Sequence, residues 1–360
     1  MRNKKPSRRH VLKGASATVL GAVFAAPLTS APLLAAPAPT AVDHALIAAA
    51  RREGSLAFYT AMDLLIAQAL AARFEAKYSG INVRVKRSGA ERVFQRIGAE
   101  EEIRIYEVDV VCSTDAGHFV RWKRDGLLAP YLPEDVAQHF PAEQIDADGI
   151  YVTAFALLCP IGYNTNLVKP EEAPRSYADL LDPRWKGKIV KGSPDYSGAV
   201  FTATFQIARD LGWSYFEQLA QQQVTQVQSA TEAPRRVAAG AAAVAADVSE
   251  PSLLVLKEQH APIEPVYPAE GTPLVIAPSA VFRTAPSPNA ARLFQSFVFS
   301  TEGQELLVRA SAVCSFHALA PERPGRRSLS SIKLMKSDPA AMEAQREEIK
   351  ARYSRIFGQG

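Results

Sequence analysis

Histidine and cysteine are scarce in this 360-residue sequence, and the common catalytic signatures are missing from it. The six histidines are scattered and the three cysteines show no CxxC spacing, so no cluster is typical of a zinc site. No GxSxG elbow, no GxxxxGK-S/T phosphate loop and no HExxH helix occurs. No motif in the sequence brings two carboxylates together as a pair for acid–base catalysis. These absences favour a protein that is not an enzyme, and an exported hydrolase on an α/β fold is the alternative from another class.

The cysteine count also bears on disulfides. An odd number of cysteines in an exported chain leaves at least one thiol without a partner in that chain. Cys112 ends a short apolar run, which predicts a small residue of the core. Cys159 and Cys314 could form a disulfide, but their geometry does not follow from the sequence, so this pairing stays open.

Long runs of lysine or arginine are absent after the N-terminus, although the whole sequence carries a formal net charge of +4. Residues 1–40 contain six basic and no acidic residues. Without them, 35 Lys and Arg stand against 37 Asp and Glu, and the formal charge falls to −2. The remaining chain therefore has no basic surface typical of nucleic-acid binding, and we predict no nucleic-acid partner.

The N-terminal 40 residues have the composition of an export signal. Ser7-Arg-Arg-His-Val-Leu-Lys13 precedes an apolar stretch at 14–26, which small residues and prolines follow. This stretch is too short to cross about 30 Å of hydrocarbon as a helix. The arginine pair resembles the twin-arginine signal, with Val11 where Phe is usual, and an ordinary secretory leader or a lipid anchor is the alternative. We predict that residues 1–40 direct export and that the mature protein is periplasmic.

Short strands alternate with helices at the start of the mature chain. Residues 56–59 are an apolar run, residues 108–112 read as a further short strand, and residues 81–86 alternate between apolar and polar side chains. This alternation predicts an α/β fold with a parallel sheet between helices. Ligands of such sheets bind at the carboxyl ends of the strands. The candidate residues at these ends are Thr60, Ala61, Ser88, Gly89, Ser113, Thr114 and Asp115.

A loop and a helix in the second half form another candidate binding element. The small, polar loop at 192–198 precedes a helix predicted at 199–211. The first-turn N–H groups of a helix are unpaired and its dipole is positive there, so an anion binds well. A simple N-cap role for Ser197 is the alternative. The predicted ligand-binding residues here are Ser197, Gly198, Ala199 and, at a second helix start, Thr231.

Several longer stretches resemble the solute-binding proteins of iron-type (family 1) ABC importers. The most specific is Ser176-Tyr-Ala-Asp-Leu-Leu-Asp-Pro-Arg-Trp-Lys-Gly-Lys-Ile189. Gly162-Tyr-Asn-Thr165 precedes it, and the segments at 289–294 and 300–304 follow it in the family's order. Relatives carry a similar Ser-Gly-Ala, here at 197–199, where an anion lies on a helix N-terminus. The resemblance covers nearly the whole mature chain.

This resemblance implies the type II periplasmic-binding-protein fold, which has two α/β lobes joined by crossing strands and a ligand cleft between them. It implies a small-molecule solute and, as partners, a membrane permease and an ATPase. We also predict no cofactor. We expect a monomer whose lobes open and close about the crossing strands and which reaches the membrane only through the permease. The expected lobes are lobe 1 at 41–155 and 268–312, and lobe 2 at 156–267 and 313–360.

One feature of the family is missing. Ferric-binding members resemble one another in holding the metal with adjacent tyrosines on the second lobe, whereas residues 246–252 contain no tyrosine. We therefore predict no bound metal and a small anion as the solute, such as a phosphate ester, a phosphonate or a carboxylate. Ferric iron held by carboxylates is the alternative. The carboxylates that could replace the tyrosines are Asp63, Asp115, Asp247 and Glu250.

Three further residues complete the predicted site. Asp247 lies in the segment where ferric-binding relatives carry their tyrosines. Tyr267 and Glu270 lie where the chain is expected to return to the first lobe, so we predict them at the cleft or the hinge. A packing role for Tyr267 is the alternative.

Overall fold

The computed structural model describes residues 37–358. The predicted export signal lies outside the described residues, apart from residues 37–40. Within residues 37–358, no helix is long and apolar enough to cross a membrane. Strands and helices alternate along this part of the chain and form two separate sheets.

The elements are numbered in chain order within the described residues. The eleven strands are β1 (Ser55–Thr60), β2 (Asn82–Arg87), β3 (Val110–Cys112), β4 (Leu128–Ala129), β5 (Val152–Leu158), β6 (Ile161–Asn164), β7 (Ile189–Gly192), β8 (Thr225–Val227), β9 (Val244–Ala245), β10 (Ile263–Val266) and β11 (Leu274–Phe282). The thirteen α-helices are α1 (His44–Glu53), α2 (Leu64–Lys77), α3 (Ala90–Glu102), α4 (Ala116–Arg124), α5 (Glu134–His139), α6 (Gly198–Leu211), α7 (Trp213–Gln221), α8 (Ala233–Ala238), α9 (Glu250–Glu258), α10 (Pro288–Phe299), α11 (Thr301–Ser311), α12 (Pro339–Ala344) and α13 (Arg346–Phe357).

The first sheet has six strands in the order β2-β1-β3-β11-β4, and β5 also pairs with β11. Strands β1, β2 and β3 are parallel, whereas β11 is antiparallel to β3, β4 and β5. The sheet is therefore mixed, and the prediction of a parallel sheet was wrong for β11. This strand brings the chain back from the second sheet and so enters from the opposite end. The carboxyl ends of β1, β2 and β3 still share one edge.

Strand β1 shows why its sequence is continuously apolar. Leu56 and Phe58 face the helices α1, α2 and α10, while Ala57 and Tyr59 face α3 and α4. Successive side chains of a strand point to opposite faces, and here helices cover both. Phe58 packs on Phe294 of α10 with ring centroids 5.0 Å apart. Full burial of such a side chain contributes about 1.5–3 kcal/mol.

The second sheet has five strands in the order β10-β6-β9-β7-β8. Strand β7 is parallel to β8 and β9, while β6 is antiparallel to β9 and β10. Ile189 of β7 and Ile207 of α6 share a core with Phe216 of α7. The C-terminal helix α13 packs on α7, where Tyr353 contacts Phe216 with ring centroids 6.4 Å apart.

Two short segments join the sheets. Cys159 and Pro160 connect β5 with β6, and residues 267–273 connect β10 with β11. The structure therefore has the expected two lobes joined by crossing segments. The residue boundaries given above for the lobes stay a prediction. Helix α12, within the segment assigned to lobe 2, lies against α4 of the first lobe.

All three cysteines are buried free thiols. Cys159 and Cys314 therefore do not form the disulfide that the sequence left open. Burial raises the pKa of each thiol, because the thiolate would lose its hydration in the core. Each cysteine is a protonated core residue at neutral pH, as predicted for Cys112.

Candidate functional site

A cleft of about 720 Å³, counted out to its open mouth, lies between the two lobes. On the first lobe, Ala61 follows β1, Arg87 ends β2 and Thr114 follows β3. These strands are parallel neighbours, so their carboxyl ends meet at one edge of the sheet. The cleft therefore lies where the alternation of strands and helices predicts a binding site.

The opposite wall contains the N-terminal ends of two helices. Ser197 is the N-cap of α6, and its Oγ accepts a hydrogen bond from Val200 N at 3.4 Å. Ser249 is the N-cap of α9, and its Oγ accepts a hydrogen bond from the hydroxyl of Ser252 at 3.2 Å. The remaining first-turn N–H groups can donate to a ligand, although α9 offers fewer because Pro251 has no N–H, and both helix dipoles are positive at this wall.

Hydroxyl groups continue the same wall between the two helix ends. Ser229 and Thr231 line the cleft, and their hydroxyls hydrogen-bond each other at 2.9 Å. They precede the short helix α8. Together with Ser197, Ser249 and Ser252, they give the second lobe a surface of small donors and acceptors.

Two glycines lie where the lobes meet. A Cβ added at Gly198 would lie 2.8 Å from the Cβ of Ala90 and 2.9 Å from the Cβ of Asp115. A Cβ added at Gly89 would lie 2.6 Å from the carbonyl oxygen of Tyr196. Cβ atoms essentially never approach other atoms closer than 3.0 Å, so neither position accepts a side chain in this arrangement of the lobes.

Arg87 is a cleft residue that the sequence analysis missed. Its Nε donates to the carbonyl of Met62 at 3.2 Å, and its Nη1 donates to the Tyr196 hydroxyl at 3.3 Å, so the guanidinium spans both lobes. Asp63 carries the other charged side chain among the described residues that line the cleft. The sequence did contain a signal for Arg87, because this basic residue directly precedes Ser88 at a predicted strand end.

Six of the predicted residues line this cleft, and their role in ligand binding stays a prediction. Ala61 and Thr114 lie on the first lobe. Ser197, Gly198, Ala199 and Thr231 lie opposite them on the second lobe.

Four predicted residues lie beside the cleft without lining it. The Thr60 hydroxyl donates to the carbonyl of Cys112 at 2.9 Å and accepts from Met62 N at 3.1 Å, so it holds the turn after β1. Ser113 is buried, and Ser88 faces a separate small pocket. Gly89 contacts Tyr196 as described above.

Asp115 is the predicted residue whose surroundings differ most from a ligand site. Its carboxylate accepts two hydrogen bonds from Arg346 of α13, at 2.8 and 2.9 Å, and caps α4 by accepting from Gly117 N at 3.1 Å. Burial alone would raise the pKa of Asp115, but the charges of His118 and Arg346 outweigh it and hold the pKa below its usual range. Asp115 therefore joins α13 to the first lobe and does not line the cleft.

Asp247, Tyr267 and Glu270 also lie outside the cleft, because each is engaged elsewhere. Asp247 is buried and ion-paired with Lys191 at 2.6 Å. The Tyr267 hydroxyl donates to Glu250 at 2.5 Å. Glu270 accepts hydrogen bonds from the backbone N–H groups of residues 177 and 178, both at 3.1 Å. We therefore do not assign these residues to solute binding.

The carboxylates considered for ferric iron are not brought together. Of the four, Asp63 alone lines the cleft, and Glu250 is paired with Tyr267 and Arg326. Among residues 37–358, three potential His, Cys or carboxylate ligands approach within 4.8 Å only in one group. That group is Asp135, His139 and His317, away from the cleft.

Glu91, next to the Asp115–Arg346 pair, gives a prediction about acid stability. Burial alone would raise its pKa, but His118 at 3.6 Å and Lys350 at 3.0 Å outweigh it and lower the pKa to about 2. A lowered carboxyl pKa stabilises the fold above pH 4.5, and this contribution is lost as the pH falls toward 2. We expect the free energy of unfolding at pH 6 to be about 1–2 kcal/mol lower in Glu91→Gln than in the unaltered protein, after allowing for solvent screening.

Urea unfolding of both proteins between pH 6 and pH 2 measures this difference. The free energies of unfolding should converge as the pH approaches 2. A difference that is constant with pH would show that Glu91 contributes by packing, not by charge. Glu347→Gln, on the exposed face of α13, is the matched control and should change little at any pH.

Comparison with known sequences places the chain beside bacterial transport proteins. Residues 56–310 match the family model described as bacterial extracellular solute-binding protein. Iron uptake protein A1 of Synechocystis sp. is 25% identical over 291 residues, which cover 76% of this chain and 78% of that protein. The match includes both lobes and the segments that join them.

Solved structures agree with the fold. The periplasmic binding protein AfuA from Actinobacillus pleuropneumoniae, with fructose-6-phosphate bound, superposes with a TM-score of 0.78 at 24% identity, covering 85% of this chain and 99% of that one. Iron-bound HitA from Pseudomonas aeruginosa superposes with a TM-score of 0.74 at 21% identity, covering 84% and 99%. The expected type II periplasmic-binding-protein fold is confirmed.

Proposed function

Since the chain belongs to the bacterial extracellular solute-binding family, we propose that it is the periplasmic receptor that delivers a small anion to an ABC import permease. The proposed solutes are phosphate esters, phosphonates and carboxylates. The receptor binds and releases its solute unchanged. Catalysis is not part of the proposal, because no nucleophile is held by a neighbouring base among the described residues that line the cleft.

The observation that carries this proposal is the convergence of positive groups on one cleft. The N-terminal ends of α6 and α9 face it from the second lobe, and the guanidinium of Arg87 lies at the boundary of the lobes. Helix N-termini and an arginine both bind oxyanions well. The carboxylate of Asp63 repels an anion less strongly than a carboxylate without partners would. It caps α2 by accepting a hydrogen bond from Leu65 N at 2.9 Å.

Closure of the lobes follows from the same geometry. Thr114 and Arg87 on one lobe and the α6 N-terminus on the other can contact a solute together only when the cleft is closed. A ligand that contacts both lobes favours the closed state by its extra affinity for that state. The closed protein then presents its solute to the permease.

The known ligands of similar proteins include both an anion and a metal. AfuA was solved with fructose-6-phosphate, a phosphate ester, and HitA with iron. Ferric iron is the alternative solute here. The positions of Asp115, Asp247 and Glu250, each already in an ion pair, support the anion instead.

Thermal unfolding of the ligand-stripped mature protein tests the proposal against a solute panel. The panel holds phosphate esters, phosphonates, carboxylates, polyamines and ferric citrate. Binding to the folded state adds about 2.7 kcal/mol at a hundredfold excess over Kd, which corresponds to about 5 °C in Tm. A shift with an anion class supports the proposal. A shift with ferric citrate alone, absent with citrate, would replace it with the iron alternative.

The export route and the partners complete the proposal. The leader at 1–40 supports export by the twin-arginine route, which carries folded proteins. Replacing Arg8 and Arg9 together by Lys should then stop export, whereas an ordinary secretory leader would tolerate this change.

We further propose a monomer that docks on a permease, with a separate ATPase driving import.

A further inference from the structure

The two walls of the cleft differ in chemistry. The first sheet and the core packed on it contribute most of the apolar side chains, which are Met62, Ile66, Phe155, Leu157, Leu307 and Val313. The second lobe contributes mainly the hydroxyls and helix ends described above. A solute held between these walls therefore faces apolar carbon on one side and hydrogen-bond donors on the other.

The apolar wall is built on rigid elements. Phe155 and Leu157 are two residues apart on β5, so their side chains point to the same face of the strand. Leu307 reaches the same region from α11. All three belong to one hydrophobic cluster that also contains Ala199 of α6. The apolar surface thus continues across the cleft to the helix end that we assign to the anion.

This wall is poorly suited to a sugar or another polyhydroxylated body. Buried hydroxyls need partners, and a hydroxyl that is buried without one weakens binding. Among the described lining residues, Asp63 and Arg87 carry the planar groups that can bind two hydroxyls at once, and both already have partners. Phe155 and Leu157 offer none.

We infer that the solute is an anion with an apolar body, namely an aryl or alkyl phosphonate, phosphate ester or carboxylate. Its charged group binds at the N-terminal ends of α6 and α9, and its body packs on Phe155, Leu157 and Leu307. This inference rests on the proposed function, because it takes the cleft as the solute site. It goes further by specifying the part of the solute that carries no charge.

Titration calorimetry with three probes tests it. Phenylphosphonate carries an apolar body, glucose 6-phosphate carries a hydroxylated body, and inorganic phosphate is the bare anion. We expect phenylphosphonate to bind at least tenfold more tightly than either of the others. Leu157→Ala should weaken phenylphosphonate about five- to tenfold and leave inorganic phosphate unchanged. Leu319 is 59% exposed and lies outside the cleft, so Leu319→Ala is the control and should change the affinity for neither probe.

The possible results distinguish failure of this inference from failure of the proposed function. If glucose 6-phosphate binds as tightly as phenylphosphonate, the inference of an apolar body is wrong, while the proposed function as an anion receptor is still supported. Failure of all three anions to bind overturns both. If Leu157→Ala weakens phenylphosphonate and inorganic phosphate equally, the residue acts through closure of the cleft, and the apolar contact is wrong.

Discussion

Gly198→Ala is expected to weaken solute binding by about 10- to 100-fold while the protein stays folded. The added Cβ would lie 2.8 Å from the Cβ of Ala90 and 2.9 Å from the Cβ of Asp115, both on the first lobe. These atoms are fixed by a helix start and a helix cap, so they cannot move aside as a flexible side chain would. Overpacking of this kind costs about 1–3 kcal/mol, and the expected 10- to 100-fold loss corresponds to about 1.4–2.8 kcal/mol within that range.

The effect should be confined to binding, because the clash exists only when the lobes are closed. Calorimetric titration measures the affinity, and urea unfolding of the solute-free protein checks the stability. Gly98→Ala is the matched control, since a Cβ there meets nothing within 4 Å inside helix α3. It should leave the affinity unchanged and stabilise the helix slightly. Unchanged affinity in Gly198→Ala would show that closure does not bring α6 against the first lobe.

Lys191→Met is expected to destabilise the protein by about 3–5 kcal/mol. The ammonium of Lys191 and the carboxylate of Asp247 are 2.6 Å apart, with side chains 1% and 0% exposed. Removing the lysine leaves a carboxylate in the core without its counter-charge. Burial already raises the pKa of Asp247, although Lys191 lowers it, so the variant must protonate that carboxyl or hydrate it by local opening.

Chemical unfolding in urea at pH 7 measures this loss, with two companion variants. Lys188→Met, on an exposed position of the same segment, should change the free energy of unfolding by less than about 0.5 kcal/mol. Lys191→Met combined with Asp247→Leu should recover most of the stability, because neither charge is then buried. A double variant as unstable as the single one would mean that the lysine stem, not its charge, is the stabilising part.

Local patterns made the fold and one part of the cleft predictable. The period of apolar residues located β1 and β2, and the rule for carboxyl ends of strands led to Ala61 and Thr114. A loop before an apolar helix led to Ser197 and Gly198 in the same way. Each of these inferences uses residues close together in the sequence, where spacing determines geometry.

The remaining placements depend on partners far along the chain. Asp115 pairs with Arg346, 231 positions away, and no local pattern connects them. Asp247 follows an apolar segment much as Asp115 follows β3, yet its carboxylate is turned to Lys191 in the core. Arg87 was missed because a single arginine at a strand end has the same appearance as any solvated one. The direction of β11 depends on where the chain re-enters the first sheet.

The most direct test of the central claim is thermal unfolding of the ligand-stripped protein and Gly198→Ala, side by side, against the same anion panel. We expect one anion class to raise the Tm of the unaltered protein by about 5 °C at a hundredfold excess over Kd. At that same concentration, a 10- to 100-fold weaker Kd should reduce the shift in Gly198→Ala to between about a half and about a seventh. An equal shift in both proteins, or a shift with ferric iron alone, would contradict an anion site at the N-terminus of α6.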